Sequence, residues 1–208
     1  MKLENLKITF LGDSITQGHG TTADDKIYHQ IIKRDYNLAD AYNCGIGGTR
    51  IAKQTSPSFH IHDLYFSLRV DILPLETDMV VIFGGTNDFG HGDAKMGTID
   101  SADIYTFYGA LNDLISKVKN RNKNAKIVFL TPIRRTTENQ PNMNGYVLED
   151  YVNAIIEVTK KYNLPVIDLF RSGIIDPFDK ELVPDGLHPS DKGHEIMADY
   201  IAKELLKI

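Results

Sequence analysis

At 208 residues, with a composition ordinary for a globular protein and a formal net charge of −5, the chain is long enough to bury a sizeable core, and one domain over residues 1–208 is expected. The acidic balance argues against nucleic acid or an anionic membrane as a partner, and a lone cysteine, Cys44, excludes an intrachain disulfide. No run approaches the ~20 apolar residues of a membrane span. The apolar stretch in MKLENLKITFLGD is too short for a signal-peptide core, so a cytoplasmic location is the expectation.

In chain order, the first predicted element is a strand over Lys7–Leu11, closed by Gly12-Asp13-Ser14. Ile27, Tyr28, Ile31 and Ile32 follow at helical spacing. A second strand, Asp40–Asn43, runs into Cys44-Gly45-Ile46-Gly47-Gly48, and His60–Leu73 reads as a helix ended by Pro74. The third strand, Met79–Phe83, leads into Gly84-Gly85-Thr86-Asn87-Asp88. Ile104 to Val118 carries a full amphipathic stripe, with Asp103 in its first turn and Lys117 and Lys119 near its end. Lys126–Leu130 is the fourth strand. Val147–Val158 is a helix with Glu149 and Asp150 in its first turn, and Val166–Leu169 is the fifth strand. The last helix carries Ile196, Tyr200, Ile201 and Leu205 and is opened by Ser190 as N-cap. Phe89–Asp100 and Pro132–Gly145 show no clear period and follow strand ends, which makes them candidate walls or lids of a site.

Strands alternating with helices imply a parallel sheet covered on both faces, a three-layer αβα fold. MVVIF and KIVFL are apolar throughout, as central strands are. Five strands suggest, by analogy with fold class, the flavodoxin-like order 2-1-3-4-5.

The polar residues then gather at the carboxyl edge of that sheet, where Pro184-Asp185-Gly186-Leu187-His188-Pro189 joins the segments after strands 1, 2 and 3. A hydroxyl, an imidazole, a carboxylate, glycine-rich backbone and a side-chain amide make up a parts list for acyl transfer. Each part also has a plain structural reading. Ser14 can be an N-cap, DG a turn, His188 a packed histidine and the glycines a βα loop.

The four segments together resemble the SGNH (GDSL-like) hydrolase family. GDSIT (Gly12–Thr16), NCGIGG (Asn43–Gly48), GGTND (Gly84–Asp88) and DGLHP (Asp185–Pro189) match its blocks in order, with Ile-Thr in the first block where Leu is usual. The resemblance implies Ser14 as nucleophile, with His188 and Asp185 completing a triad. It also implies an oxyanion hole made by the N–H of Ser14, Gly48 and Asn87. Ser14 would sit at a strand-to-helix turn, its N–H near a helix N-terminus. Gly48 brings backbone close to a substrate oxygen without a Cβ, and Pro189 delays the last helix so that His188 stays on a loop. With Asp185 beside it, His188 is expected to titrate near or above ~6.5.

Other residues read as structural. Asp13 and Asp88 order their turns, and Cys44 is a small buried hydrophobe. His60, His62 and Asp63 lie on different faces of a helix and share no ion. His194 packs or caps within the last helix, and no CxxC or HExxH pattern occurs, so neither a metal nor a cofactor is expected. GDSITQGHGT lacks the lysine of a P-loop, and GIGGTR lacks the third glycine of a dinucleotide fingerprint. Arg134 and Arg135 are solvated loop charges, or one of them meets a polar acyl or sugar group. Only Phe89, Met96, Ile133 and Met143 offer apolar area near the site, which points to short acyl esters, acetyl included, with a carbohydrate among the carriers the family allows. The alternatives are a lysophospholipase or thioesterase of longer chains, and a non-catalytic anion-binding domain.

Overall fold

The computed structural model describes residues 2–56 and 61–208. Its strands are β1 (Lys7–Gly12), β2 (Asp40–Gly45), β3 (Met79–Phe83), β4 (Lys126–Leu130) and β5 (Val166–Ile167). They form one sheet in the order β2-β1-β3-β4-β5, with every pair parallel. This is the flavodoxin-like order expected from the alternation of elements.

Strand periodicity divides the core in two. Ile8, Phe10, Met79, Val81, Phe83, Val128 and Leu130 face one layer, made by α2 (Tyr28–Asp35) and α7 (Asp191–Leu205). Leu11, Val80, Ile82, Ile127 and Phe129 face the other, made by α4 (Phe107–Arg121) and α5 (Leu148–Lys161). Each such side chain, fully withdrawn from water, contributes roughly 1.5–3 kcal/mol. Ser190 caps α7 by accepting the Gly193 N–H, as its position before the last apolar stripe predicts. Three short helices, α1 (Ser14–Gln17), α3 (Thr86–His91) and α6 (Leu169–Ser172), complete the fold. Among the described residues no helix is long and apolar enough to cross a membrane.

Three elements differ from the sequence expectation. The helix expected over His60–Leu73 is instead a pair of 3₁₀ stretches, Ile61–Asp63 and Phe66–Ile72, and His60 lies outside the described residues. The buried side chains explain it: Phe66 and Arg69, and Ser67, Val70 and Leu73, recur every three residues, the 3₁₀ period. Strand β5 stops at Ile167 because Asp168 caps α6, accepting the Arg171 N–H at 3.1 Å. Helix α4 starts at Phe107, because the Thr106 side chain accepts the Gly109 N–H and sets the first turn there.

Candidate active site

Register places the site. Gly12, the last residue of β1, lies abreast of Gly45 on β2 and Phe83 on β3. The segments that follow these three therefore leave the sheet side by side, at the switch point where such sheets bind ligands. A Cβ on Gly12 would stand 2.0 Å from the Thr16 Oγ1, so glycine lets α1 fold tightly back over the strand end.

Asp13 is the N-cap of α1: its carboxylate accepts the Ile15 N–H at 3.1 Å. Asp13 thus takes the capping task that Ser14 was a candidate for, and the Ser14 hydroxyl is left to point elsewhere. Its Oγ lies 2.9 Å from the His188 Nε2. Because α1 is a single turn, its dipole adds little at the Ser14 N–H, and the local donor matters more.

His188 lies on the loop before α7, held off the helix by Pro189 and Ser190. Its Nδ1 is 2.6 Å from the Asp185 Oδ2, while the Asp185 Oδ1 accepts the backbone N–H of His188 at 2.7 Å and of Leu187 at 2.9 Å. A carboxylate only accepts, so Nδ1 carries the proton and Nε2 is bare, free to accept the Ser14 O–H. Partial burial pushes the Asp185 carboxyl up, but the His188 ring and the two N–H groups outweigh it and hold it at about 2. For His188 the balance runs opposite to the sequence expectation. Burial is the largest single influence and lowers its pKa, Asp185 raises it, His19 and Arg135 lower it, and the net shift is below the ordinary value. The imidazole is therefore neutral, the state a general base needs, into mildly acid solution.

On the loop after β2, Gly48 has a left-handed backbone (φ +72°). A Cβ there would meet the His62 ring at 2.5 Å, so only glycine fits between that ring and the loop. The neighbouring Gly47 N–H is donated to the Gln17 Oε1 at 2.7 Å. Among the described residues the N–H groups of Ser14 and Gly48 are engaged by no other group. Asn87, in the first turn of α3, is buried and donates its Nδ2 to the Thr49 carbonyl at 3.0 Å. Ser14, Gly48, Asn87, Asp185 and His188 thus all stand at one edge of the sheet, with unengaged N–H donors on the serine and on Gly48.

The supporting residues have the following places. Asp88 reaches beyond its own turn. Its carboxylate accepts the N–H of Ile51 at 2.9 Å and of Ala52 at 2.8 Å, clasping the loop after β2 to α3, and burial pushes it up to about 6. Cys44 is half-buried and not fully enclosed; burial raises its thiol, which disfavours a thiolate nucleophile. His194 accepts the Tyr28 N–H at 3.1 Å, capping the start of α2. Arg134 pairs with the buried Glu138, whereas Arg135 lies over the Phe89 ring, 5.3 Å from its centre, and donates to the Thr86 carbonyl at 3.2 Å. Of the apolar candidates, Phe89, Met96 and Ile133 are buried in the cores and Met143 is on the surface.

Two neighbours of the site are given no role by the sequence motifs. His19 packs its ring 4.2 Å from that of His188, carried there by the positive-φ glycines Gly18 and Gly20; that Gly-His-Gly spacing was the available signal. His19, Asp185 and His188 bring ligand-type atoms within 4.8 Å of one another, but both His188 nitrogens are engaged, by Ser14 and Asp185. Arg69 had no local signal. It is buried and donates to the carbonyls of Cys44 at 2.8 Å and Gly12 at 3.0 Å, pinning the ends of β2 and β1 together.

The fold is a three-layer α/β sandwich with its polar loops gathered at the carboxyl edge of the sheet. Residues 10–196 match the model of the GDSL-like lipase/acylhydrolase family. An acetylxylan esterase of Xylanibacter ruminicola is 31% identical over 97% of this chain, and the match takes in 43% of that relative's length, so this chain spans less than half of it. Among solved structures, a Lactobacillus plantarum protein is 28% identical, with a TM-score of 0.84 over 100% of this chain and 98% of that one. The lipase/acylhydrolase of Enterococcus faecalis is 25% identical, with a TM-score of 0.68 over 99% and 95%. The chain belongs to the GDSL-like lipase/acylhydrolase family.

Proposed function

We propose that the protein is a serine esterase that removes short acyl groups, acetyl foremost, from a hydroxylic carrier such as a carbohydrate, through an acyl-enzyme on Ser14. The observation that carries this reading is the hydrogen-bond chain from the Ser14 Oγ through His188 to Asp185. His188 takes the Ser14 proton on Nε2 as Oγ bonds to the ester carbon. The same proton passes to the departing alkoxide as the C–O bond breaks. Water then repeats the sequence in reverse roles and frees the acid. The N–H groups of Ser14 and Gly48 and the second N–H of the Asn87 amide receive the negative oxygen of each tetrahedral intermediate. A single donor of this kind is worth ~3–4 kcal/mol in the transition state.

Two observations favour a short acyl group. Ser14 has Gly47 and His188 beside it, with His19 against the His188 ring, and of the apolar candidates Phe89, Met96 and Ile133 are spent on the cores, which leaves Met143 alone exposed. The acetylxylan esterase likeness points the same way. Each buried CH₂ contributes ~0.8 kcal/mol, so selection for a fatty chain needs an apolar lining that these residues do not provide. On nitrophenyl esters of graded length, kcat/KM is expected to peak between acetyl and butyryl and to decline by octanoyl. A steady rise to decanoyl would move the enzyme to the lysophospholipase or thioesterase reading.

The pH profile follows from His188. The base works when neutral, so activity falls as pH drops through its pKa, and that pKa is lowered from the ordinary ~6.5. The acid limb of kcat/KM is therefore expected below the ordinary histidine range, with activity level from there through neutral pH. A limb centred above ~6.5, measured on a non-ionising acetyl ester, would contradict it.

A further inference from the structure

We propose that His91 and Arg50 are positioning residues that hold the Asn87 amide with its N–H edge toward the oxyanion. The inference rests on the oxyanion role given to Asn87 above and supplies what that role lacks, a means of fixing the amide plane.

The chain of donors can be read from either end, and both readings agree. At one end is the Thr49 carbonyl, which can only accept. The Asn87 nitrogen facing it at 3.0 Å must therefore be the NH₂, and the oxygen Oδ1 must face away. Oδ1 lies 3.1 Å from the His91 Nε2. Since Oδ1 can only accept, Nε2 must carry the proton. At the other end is Arg50, a guanidinium that can only donate. Its Nη1 lies 2.8 Å from the His91 Nδ1, which must then be bare. Acceptor-only backbone and donor-only arginine thus impose the same neutral tautomer on His91. Arg50 is itself anchored: it is buried and donates to the His91 carbonyl at 3.2 Å, and to the His62 carbonyl and the Asp63 Oδ1, each at 3.4 Å.

The physical need is specific. The terminal torsion of an asparagine is broad, so one hydrogen bond to Thr49 sets which way round the amide lies but leaves its plane free to swing. A second bond at the opposite end removes that freedom. The remaining N–H is then aimed before the substrate arrives, and preorganised donors of this kind need no reorientation during reaction. Burial lowers His91 to about 4, with Arg50 and His62 adding to the effect, so the neutral tautomer persists across the working range.

The test is steady-state kinetics on nitrophenyl acetate with H91A, H91Q, N87A and the double variant N87A/H91A, each checked by melting temperature. His91 keeps one side open to solvent at the end of α3, but its ring also accepts from the buried Arg50, so H91A is expected to melt somewhat below the parent, and the rates are read at a temperature where every variant is folded. H91A is expected to lower kcat by about tenfold to a hundredfold with KM within about twofold, the signature of a misaimed transition-state group. H91Q, whose amide N–H can stand where Nε2 stands, is expected to keep kcat within about threefold of the parent. In the N87A background, H91A is expected to change kcat by less than about twofold, because a residue that acts through Asn87 has nothing left to act on. An equal loss in both backgrounds, or H91Q as poor as H91A, would make His91 merely structural and overturn the relay. A kcat for N87A equal to the parent's would instead overturn the oxyanion role of Asn87, a failure distinct from that of the relay.

Discussion

Ser14→Ala is expected to lower kcat on nitrophenyl acetate by about 10⁶-fold, the loss seen when other serine hydrolases are deprived of their nucleophile. The change is clean for a local reason. Among the described residues the Ser14 side chain makes one hydrogen bond, to His188, while the cap of α1 is supplied by Asp13. Alanine keeps the Cβ and is a good helix former, so the melting temperature is expected to stay close to the parent's. A fluorophosphonate probe, which phosphonylates an activated serine, is expected to label the parent at Ser14 and to leave the variant unlabelled. That outcome also separates the esterase from a non-catalytic anion-binding domain, for which neither protein would be labelled. A Ser14→Ala protein with a tenth of the parent's turnover would end the mechanism proposed.

Asp185→Asn carries the second largest expected effect, about 10⁴-fold in kcat. The Asp185 Oδ1 already accepts the N–H groups of Leu187 and His188. An asparagine oxygen can keep those two bonds, so the loop is preserved, but the NH₂ must then face the His188 Nδ1. A donor there forces Nδ1 to accept, which moves the ring proton to Nε2, toward the Ser14 hydroxyl. In that tautomer His188 cannot take the serine proton. The tautomer inversion, and not a loss of fold, is the cause, so the melting temperature is expected to change little while turnover collapses. If Asp185→Asn turned over within tenfold of the parent, His188 would owe its tautomer to another group.

The sheet and the candidate site were legible in the sequence to different depths. Strands β3 and β4 announce themselves because each is buried on both faces, and a continuous apolar run is the one pattern that satisfies that environment. The strand-end motifs were legible for a topological reason. In a parallel sheet every carboxyl end lies on one edge, so residues 12–14, 45–48 and 84–88 have to meet once the alternation of elements is recognised, whereas Asp185 and His188 lie beyond α6 and reach that edge on the loop before α7. The N-cap at Ser190 was legible because capping is a contact between near neighbours in the chain.

Tertiary structure alone decided the rest. The segment 66–72 winds as 3₁₀ because Arg69 reaches the carbonyls of Gly12 and Cys44, contacts 57 and 25 residues away that no local periodicity records. The direction of the His188 shift is a sum over burial and over charges from His19, Arg135 and Asp185, and only packing sets their weights. Asp88 looks like a turn residue until the loop after β2 brings its N–H groups to it. Nothing in the local sequence marks His91; folding sets it between Asn87 and an arginine 41 positions earlier. A sequence displays the short-range terms of the folding energy residue by residue. Hydrogen-bond partners and burial at a site are long-range terms, and they take a value only when the packed layers have brought the segments together.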